Sequence, residues 1–418
     1  MQKILRNEDV WIAISVRNMS EFKIMSYNIE NMRNLFSKNQ FALDNIEKVK
    51  SLEKIITNQL PHVLGIVEAS DKIKHHQYFI DNTRLVDFGY KVSKSDHKRG
   101  KQDLVVYYRE PFEIVTMDDN IEFYEEWIED IDQDGIEEVC RFERKPLEIL
   151  FRLKGTDITI LVILVATKSK GVFSVNDLVN HQYLALANRK KLLAESKKIR
   201  RRVDQLMDEQ PQLPLIVMGD FNDNPGMDSY EKILGASSIE TVMGSVFEPN
   251  KILHNTLWYL CKTDRHKDLW TTEYPDLIVQ NFGLHRAWLD HIFISQNLLS
   301  ESARFKYIMN SGEIIPKDTD AKNASDHYAV FSRFKVSDCF FSVDSGWQRT
   351  GLNLMDTLNK SIQFRDGFKK TKVYSMQRET EEDQAVLIPK NRKKAKKSQK
   401  RLKINVANFS ESWTENYA

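Results

Sequence analysis

The sequence predicts a layered α/β domain, and three observations carry that expectation. Eight apolar, β-rich runs recur along the chain: Phe22 to Tyr27, His62 to Val67, Leu104 to Tyr108, Leu147 to Leu153, Ile158 to Val165, Leu215 to Met218, Leu289 to Ile294 and Tyr328 to Phe334. Their near-continuous apolarity is that of strands buried on both faces. Amphipathic helical patterns lie between them, and interleaved helices and strands give an α/β layered architecture.

The elements follow in order. After the strand Phe22 to Tyr27 comes a helical pattern over Phe41 to Asn58, with apolar residues at 41, 43, 46, 49, 52, 55 and 56. His62 to Val67 and Leu104 to Tyr108 are the next strands. Asp118 to Glu138 is strongly acidic and contains Asp130-x-Asp132-x-Asp134-Gly135, like the start of a calcium loop. Its twelfth position holds Arg141 where a bidentate acid is needed, so a solvated acidic insertion is expected instead. Two strands, Leu147 to Leu153 and Ile158 to Val165, precede a long helical pattern from Asn180 to Met207. The strand Leu215 to Met218 runs into the turn-forming cluster Gly219-Asp220-Phe221-Asn222-Asp223-Asn224-Pro225-Gly226. Strand and helix signals fade after Val336.

Residues 1–20 read as an N-terminal extension, 21–336 as the folded domain and 337–418 as a C-terminal extension with a disordered segment. There Lys390 to Lys403 carries many cations and no acid. That tail either binds a polyanion through counterion release or is a solvated, solubilising end. Over the whole chain, 61 Lys and Arg balance 60 Asp and Glu, so net charge points to no partner. Cys140, Cys261 and Cys339 are too far apart for a CxxC motif, which fits a reducing, cytoplasmic location. The longest apolar stretch, Ile158 to Ala166, falls short of the roughly 18 to 20 residues of a transmembrane helix. Val10 to Val16 is a poor signal peptide.

Chemistry concentrates where apolar strands end in polar residues. Asp220 and Asn222 lie two apart, so on an extended backbone a carboxylate and an amide point the same way. Such a pair can activate a water and hold a phosphate oxygen, although the same residues also make good turn chemistry. The design repeats in Ser26-Tyr27-Asn28, in Ile66-Val67-Glu68 and in Leu289-Asp290-His291. A carboxylate such as Glu68 at the end of a buried strand is costly unless paired or bound to a metal, and the alternative is a helix cap. In Ser325-Asp326-His327, neighbours on a strand face opposite ways, so one reaches a phosphate while the other supports it.

These five motifs in this order resemble the endonuclease/exonuclease/phosphatase superfamily, over about Phe22 to Val336. The resemblance implies a four-layer α/β sandwich, two packed mixed β-sheets flanked by helices, with Mg²⁺ or Mn²⁺ at the shared strand edge. It implies Glu68 as main metal ligand with Asn28 beside it, Asp220 as base, Asn222 positioning the phosphate and His327 stabilising the transition state. Asp326 and Asp290 complete the shell. One departure stands out. In Val165-Ala166-Thr167-Lys168-Ser169, Ala166 occupies a place where the family's nucleases usually carry a His. A weakened enzyme, an altered substrate and an introduced substitution all fit Ala166, and Lys168 is a substitute phosphate contact or merely solvated.

The expected function is metal-dependent hydrolysis of phosphate esters, first of nucleic acid. A phosphoesterase for small molecules, sugar phosphates or lipid headgroups is the alternative, and a phosphate-binding protein weakened at Ala166 is the third reading. Substrate choice is expected in the loops Lys91 to Gln102, Ser169 to His181 and Gly244 to Tyr274.

Overall fold

A computed structural model describes residues 21–94, 102–118, 122–172, 177–275 and 284–337. The expected extensions 1–20 and 337–418, with the Lys390–Lys403 tail, lie outside these residues apart from Ser337, as does Cys339.

The strands form two mixed sheets. The first contains β1 (Phe22–Asn28), β2 (Val63–Ser70), β3 (Lys91–Lys94), β4 (Gln102–Tyr108), β15 (Phe305–Tyr307) and β17 (Val330–Val336), in the order β15-β17-β1-β2-β4-β3, with β16 (Glu313–Ile314) also on β17. The second contains β5 (Phe112–Asp118), β8 (Leu147–Leu153), β9 (Thr159–Ala166), β10 (Leu215–Asp220), β11 (His254–Asn255) and β14 (Asp290–Ile294), in the order β11-β14-β10-β9-β8-β5. Each sheet centres on one parallel pair, β1 with β2 and β9 with β10, flanked by antiparallel neighbours. Three further two-stranded pairs among the described residues are Phe36–Ser37 with Gln40–Phe41, β6 (Trp127–Glu129) with β7 (Glu138–Cys140), and β12 (Thr272–Pro275) with β13 (Leu284–Ala287).

Alternation along the strands builds the layers. Ile24, Val67, Leu164, Met218 and Ile292 fill the space between the sheets. The opposite face of the first sheet, with Leu64, Tyr107 and Phe331, packs on α1 (Ile46–Gln59), α2 (Ile73–Asp81) and α6 (Thr319–Ala324) through Leu52, Ile56, Phe79 and Ala321. The outer face of the second, with Ile163, Val217 and Phe293, packs on α3 (Leu178–Glu209) and α5 (Ser238–Met243) through Ile199, Val203 and Val242; α4 (Ser229–Leu234) lies between them in sequence. The result is the expected four-layer α/β sandwich. Burial of each large apolar side chain contributes ~1.5–3 kcal/mol. The sheets approach closely at Gly65, where an added Cβ would stand 2.6 Å from a Leu164 methyl and 2.7 Å from Met218 Cε.

The acidic insertion is not simply solvated, which corrects the sequence expectation. Its hairpin lies against α3: Lys190 Nζ bonds Asp132 at 2.9 Å and also Glu138, and Lys197 and Arg201 meet Glu129. Asp130, Asp132 and Glu138 converge as a cation site would, and the Lys190 ammonium supplies the charge there. The first helix starts later than expected, at Ile46, because Leu43–Asn45 forms a 3-10 turn.

Two buried histidines make stability depend on pH. His62 Nδ1 accepts the Lys23 N–H at 3.1 Å, so this nitrogen must stay unprotonated. Burial, with Arg109 and Lys23 nearby, lowers its pKa to about 3. His76 donates from Nε2 to the Ser70 carbonyl at 2.8 Å and meets Tyr107 Oη at 2.9 Å; burial lowers it to about 4. Both folded values lie below the ordinary 6.5, so the unfolded chain takes up protons first. Their contribution is complete above about pH 6.5 and is lost as pH falls toward 3–4, by on the order of 3 kcal/mol for each. Burial raises the carboxyls of Asp220, Asp223 and Glu195, which act with the opposite sign in the same range, so His62 is read as a difference: in urea unfolding between pH 7 and 5, acidification should favour the folded state more in His62→Asn than in wild type, and an identical pH dependence would remove His62 from the account.

Candidate active site at the shared sheet edge

Alternation continues past the inter-sheet core to its polar edge. Asn28 follows Ile24 and Ser26, Asp220 follows Ile216 and Met218, and Asp290 shares a face with Ile292 and Ile294. Register places Asp220 opposite both Ala166 and Asp290 on neighbouring strands. The first sheet brings Asn28 up to them, and its Nδ2 donates to Asp220 Oδ2 at 3.0 Å across the two sheets.

Asp290 and His327 form a dyad. His327 Nδ1 lies 2.7 Å from Asp290 Oδ2; facing a carboxylate, that nitrogen carries the proton and Nε2 is the nitrogen left for chemistry. Burial opposes the imidazolium, but the Asp290 charge and hydrogen bond, with Asp220 and Asp326 nearby, outweigh it and raise the pKa of His327. Asp220 is also raised, first by burial and then by the Asp290 charge, against the pull of His327. Asp290 Oδ1 is buried and has no hydrogen-bond partner among the described residues. Its backbone is held by Thr271, whose Oγ1 accepts the N–H of Leu289 and of Asp290, each at 3.0 Å.

Asn222 is not placed by strand alternation, because β10 ends at Asp220. It adopts a left-handed conformation, φ 50°, and its N–H donates to Asp220 Oδ1 at 2.9 Å in an Asx turn. Its Nδ2 donates to the Thr167 carbonyl at 2.9 Å, which ties the phosphate-positioning candidate to the strand end that carries Ala166. His327 and Asp326 likewise precede β17 rather than sit within it. Ser325 makes the turn, donating from Oγ to the Asn28 carbonyl at 2.7 Å and accepting the His327 N–H at 3.1 Å.

Glu68 sits at a bulge. The β2–β4 register shifts between Ile66 and Ala69, and Glu68 has φ 57°, a strained value for a residue other than Gly or Asn. Strict alternation would send it with Leu64 and Ile66 under the helices; the bulge turns it to the edge. There it accepts from the Asn31 N–H at 3.0 Å and Gln102 Nε2 at 2.7 Å, and more distantly, at 3.5 Å, from Asn28 Nδ2. Asn28 Oδ1 accepts the Glu30 N–H at 3.1 Å, so this amide links Glu68 to Asp220 as a donor and keeps one lone pair for a cation. Asp326 is raised by burial and, more weakly, by Glu30 and Glu68.

Two groups of ligand atoms therefore meet here. Asp220, Asp290 and His327 offer atoms within 4.8 Å of one another, while Glu68 meets Asn28 and lies near enough to Asp326 for its charge to be felt there. The oxygen-rich set and the orphaned Asp290 Oδ1 fit a hard divalent cation. Ala166 is buried at the strand end, so no imidazole stands beside Asp220 on that side. Lys168 does not stand in, because its ammonium pairs with Glu143 at 3.1 Å. Gln102 and Thr271 lie in two of the expected substrate loops and Ser325 inside a quoted motif, but none of the three stands out in the sequence as a site residue.

The Endonuclease/Exonuclease/phosphatase family model matches residues 163–333. No curated protein matches the chain. Similar solved structures include truncated Caenorhabditis elegans TDP2, at 14% identity over 76% of this chain and 98% of that one, with a TM-score of 0.46. D. rerio TDP2 complexed with single strand DNA product matches at 14% identity over 76% and 100%, TM-score 0.46. The human Nocturnin catalytic domain with bound sulfate matches at 14% over 76% and 95%, TM-score 0.43. The match over residues 163–333 places that part of the chain in the endonuclease/exonuclease/phosphatase family, the same superfamily that the ordered motifs resemble.

Proposed function

We propose that the chain is a Mg²⁺- or Mn²⁺-dependent phosphodiesterase that hydrolyses nucleic acid, with residues 21–336 as the catalytic domain and a cytoplasmic location. The observation that carries this reading is the meeting of Asp220 with the Asp290–His327 dyad at one sheet edge, beside an Asp290 oxygen that has no protein partner. The Lys390–Lys403 run supports a polyanionic substrate.

Asp220, held by Asn28 and Asn222, orients the attacking water and takes its proton. Asn222 keeps one amide N–H on Thr167 and directs the other to a phosphate oxygen. His327, fixed by Asp290, places positive charge on the phosphate as charge develops. Glu68, Asn28, Asp326 and the free Asp290 oxygen would hold the cation, which when bound polarises the phosphate and neutralises its charge. Ala166 favours the third reading, a phosphate-binding protein weakened as an enzyme, because an imidazole acid contributes ~10²–10⁴ in rate.

The test is hydrolysis of bis-p-nitrophenyl phosphate and plasmid DNA, with Mg²⁺ or Mn²⁺ and after chelation. Turnover of both, abolished by chelator, is the expected result. Cleavage of the small ester without plasmid would move the reading to small-molecule phosphoesters, and no cleavage of either would end it. Ala166→His should raise turnover if the absent imidazole limits the rate.

A further inference from the structure

We propose that Arg144 is a catalytic residue that grips the substrate phosphate where Ala166 leaves the sheet edge without an imidazole. The inference rests on the phosphoesterase reading and adds a residue to it.

The placement comes from hydrogen bonds at the strand end. Strands β8 and β9 pair antiparallel up to Leu147 opposite Leu164, and residues 143–146 leave the ladder there. A buried carboxylate ties the two chain segments beyond the ladder together, because Glu195 of α3 accepts the Glu143 N–H at 3.2 Å and the Lys168 N–H at 2.7 Å. Arg144, next to Glu143, therefore stands at the end of the second sheet near Ala166. Its guanidinium reaches over to the first sheet and donates to Gln102 Oε1, and Gln102 Nε2 in turn donates to Glu68. Arg144 thus spans the mouth between Ala166 and Glu68.

Its charge is differently committed from that of its neighbours. Lys145 pairs with Glu125, Lys168 with Glu143, and Lys170 with Asp223 and Glu231. Arg144 is only partly buried, and among the described residues its side chain meets a neutral amide and no carboxylate, so its charge and further N–H donors face the cleft. A planar fork of donors suits two phosphate oxygens at once.

The substitution has a chemical consequence. Guanidinium stabilises charge on the phosphate but yields no proton in the working pH range. In hydrolysis the water oxygen bonds phosphorus, and the ester P–O bond breaks with its electron pair on the leaving oxygen. The leaving oxygen then takes its proton from solvent water rather than from an acid at position 166.

The test compares wild type with Arg144→Ala, Arg144→Lys and Asp220→Ala. It measures kcat and KM for bis-p-nitrophenyl phosphate with Mg²⁺, with and without low-millimolar guanidinium chloride, and calorimetric binding of inorganic phosphate. Arg144→Ala should lose ~10²–10³ in kcat and bind phosphate more weakly. Added guanidinium should restore roughly tenfold or more to Arg144→Ala and nothing to wild type, a rescue that a structural arginine would not show. Arg144→Lys should recover little. If Arg144→Ala melts early, Arg144→Gln repeats the measurement with a side chain that can still bond Gln102. Wild-type turnover that needs Asp220 but not Arg144 overturns this inference and leaves the phosphoesterase standing. Arg144-dependent phosphate binding without turnover overturns the phosphoesterase reading and with it the catalytic role, leaving Arg144 as a phosphate-binding residue, and a chain that neither hydrolyses nor binds phosphate ends both.

Discussion

Asp220→Asn is expected to abolish hydrolysis while the protein melts no earlier than wild type. Asparagine keeps the shape of the side chain and its remaining oxygen can still accept, so either the Asn28 amide or the Asn222 N–H retains its acceptor. The carboxylate charge and its capacity to take a proton are lost. A general base contributes ~10²–10⁴ in rate, and in this site the loss should fall toward the upper end, because Asp220 is also the residue through which Asn28 and Asn222 are aligned. Stability should not follow activity. Asp220 is buried, and neutralising it removes first the desolvation cost of its charge and then the repulsion from Asp290, which together outweigh the lost attraction to His327. Steady-state kcat on bis-p-nitrophenyl phosphate and a thermal melt decide the matter. A variant that keeps more than about a tenth of wild-type kcat would show that another group takes the proton.

Most of the layers were legible because they follow from side-chain periodicity, which is local. Leu147 to Leu153 is a strand as expected, and the other seven apolar runs agree with strands to within a few residues at their ends. The elements that escaped are those whose pattern is set from outside. Phe112–Asp118 is an edge strand with Val115 exposed, and β3 forms by pairing with β4 within what reads as loop sequence.

At the site, residue types were legible but the means of bringing them together were not. Alternation accounts for Asn28, Asp220 and Asp290. It fails for Glu68, which a bulge turns around, and for Asn222 and His327, which turns hydrogen-bonded to Asp220 and Ser325 put in place. A bulge or a turn depends on pairing partners far away in sequence, and one chain read in isolation does not display those partners. The same limit hid Gln102 and Arg144. An isolated Gln and an isolated Arg look like solvated residues until two sheets bring them beside Glu68 and Ala166.

Gly219→Ala is expected to be the most damaging single methyl group that can be added near the site. Gly219 has φ 145°, which L side chains rarely adopt, and an ideal Cβ there would lie 1.9 Å from the Val165 carbonyl oxygen and 2.8 Å from its carbon. The obstacle is backbone in the β9–β10 parallel pair, where Val165 and Gly219 are directly opposed, so no side-chain rotation relieves it. Relief requires the two central strands of the second sheet to part, which breaks ladder bonds and opens the core shared by Leu164 and Met218. Strain of this kind belongs with the rare substitutions that cost ~4–5 kcal/mol or more, a large part of the ~5–15 kcal/mol that holds a folded domain. Function should fail with it, because the same displacement moves Asp220 away from Asn28 and Asp290. Urea unfolding of Gly219→Ala should therefore show a much lower midpoint together with lost activity. An unfolding free energy within about 1 kcal/mol of wild type would show that the β9–β10 pair takes up the methyl group without parting.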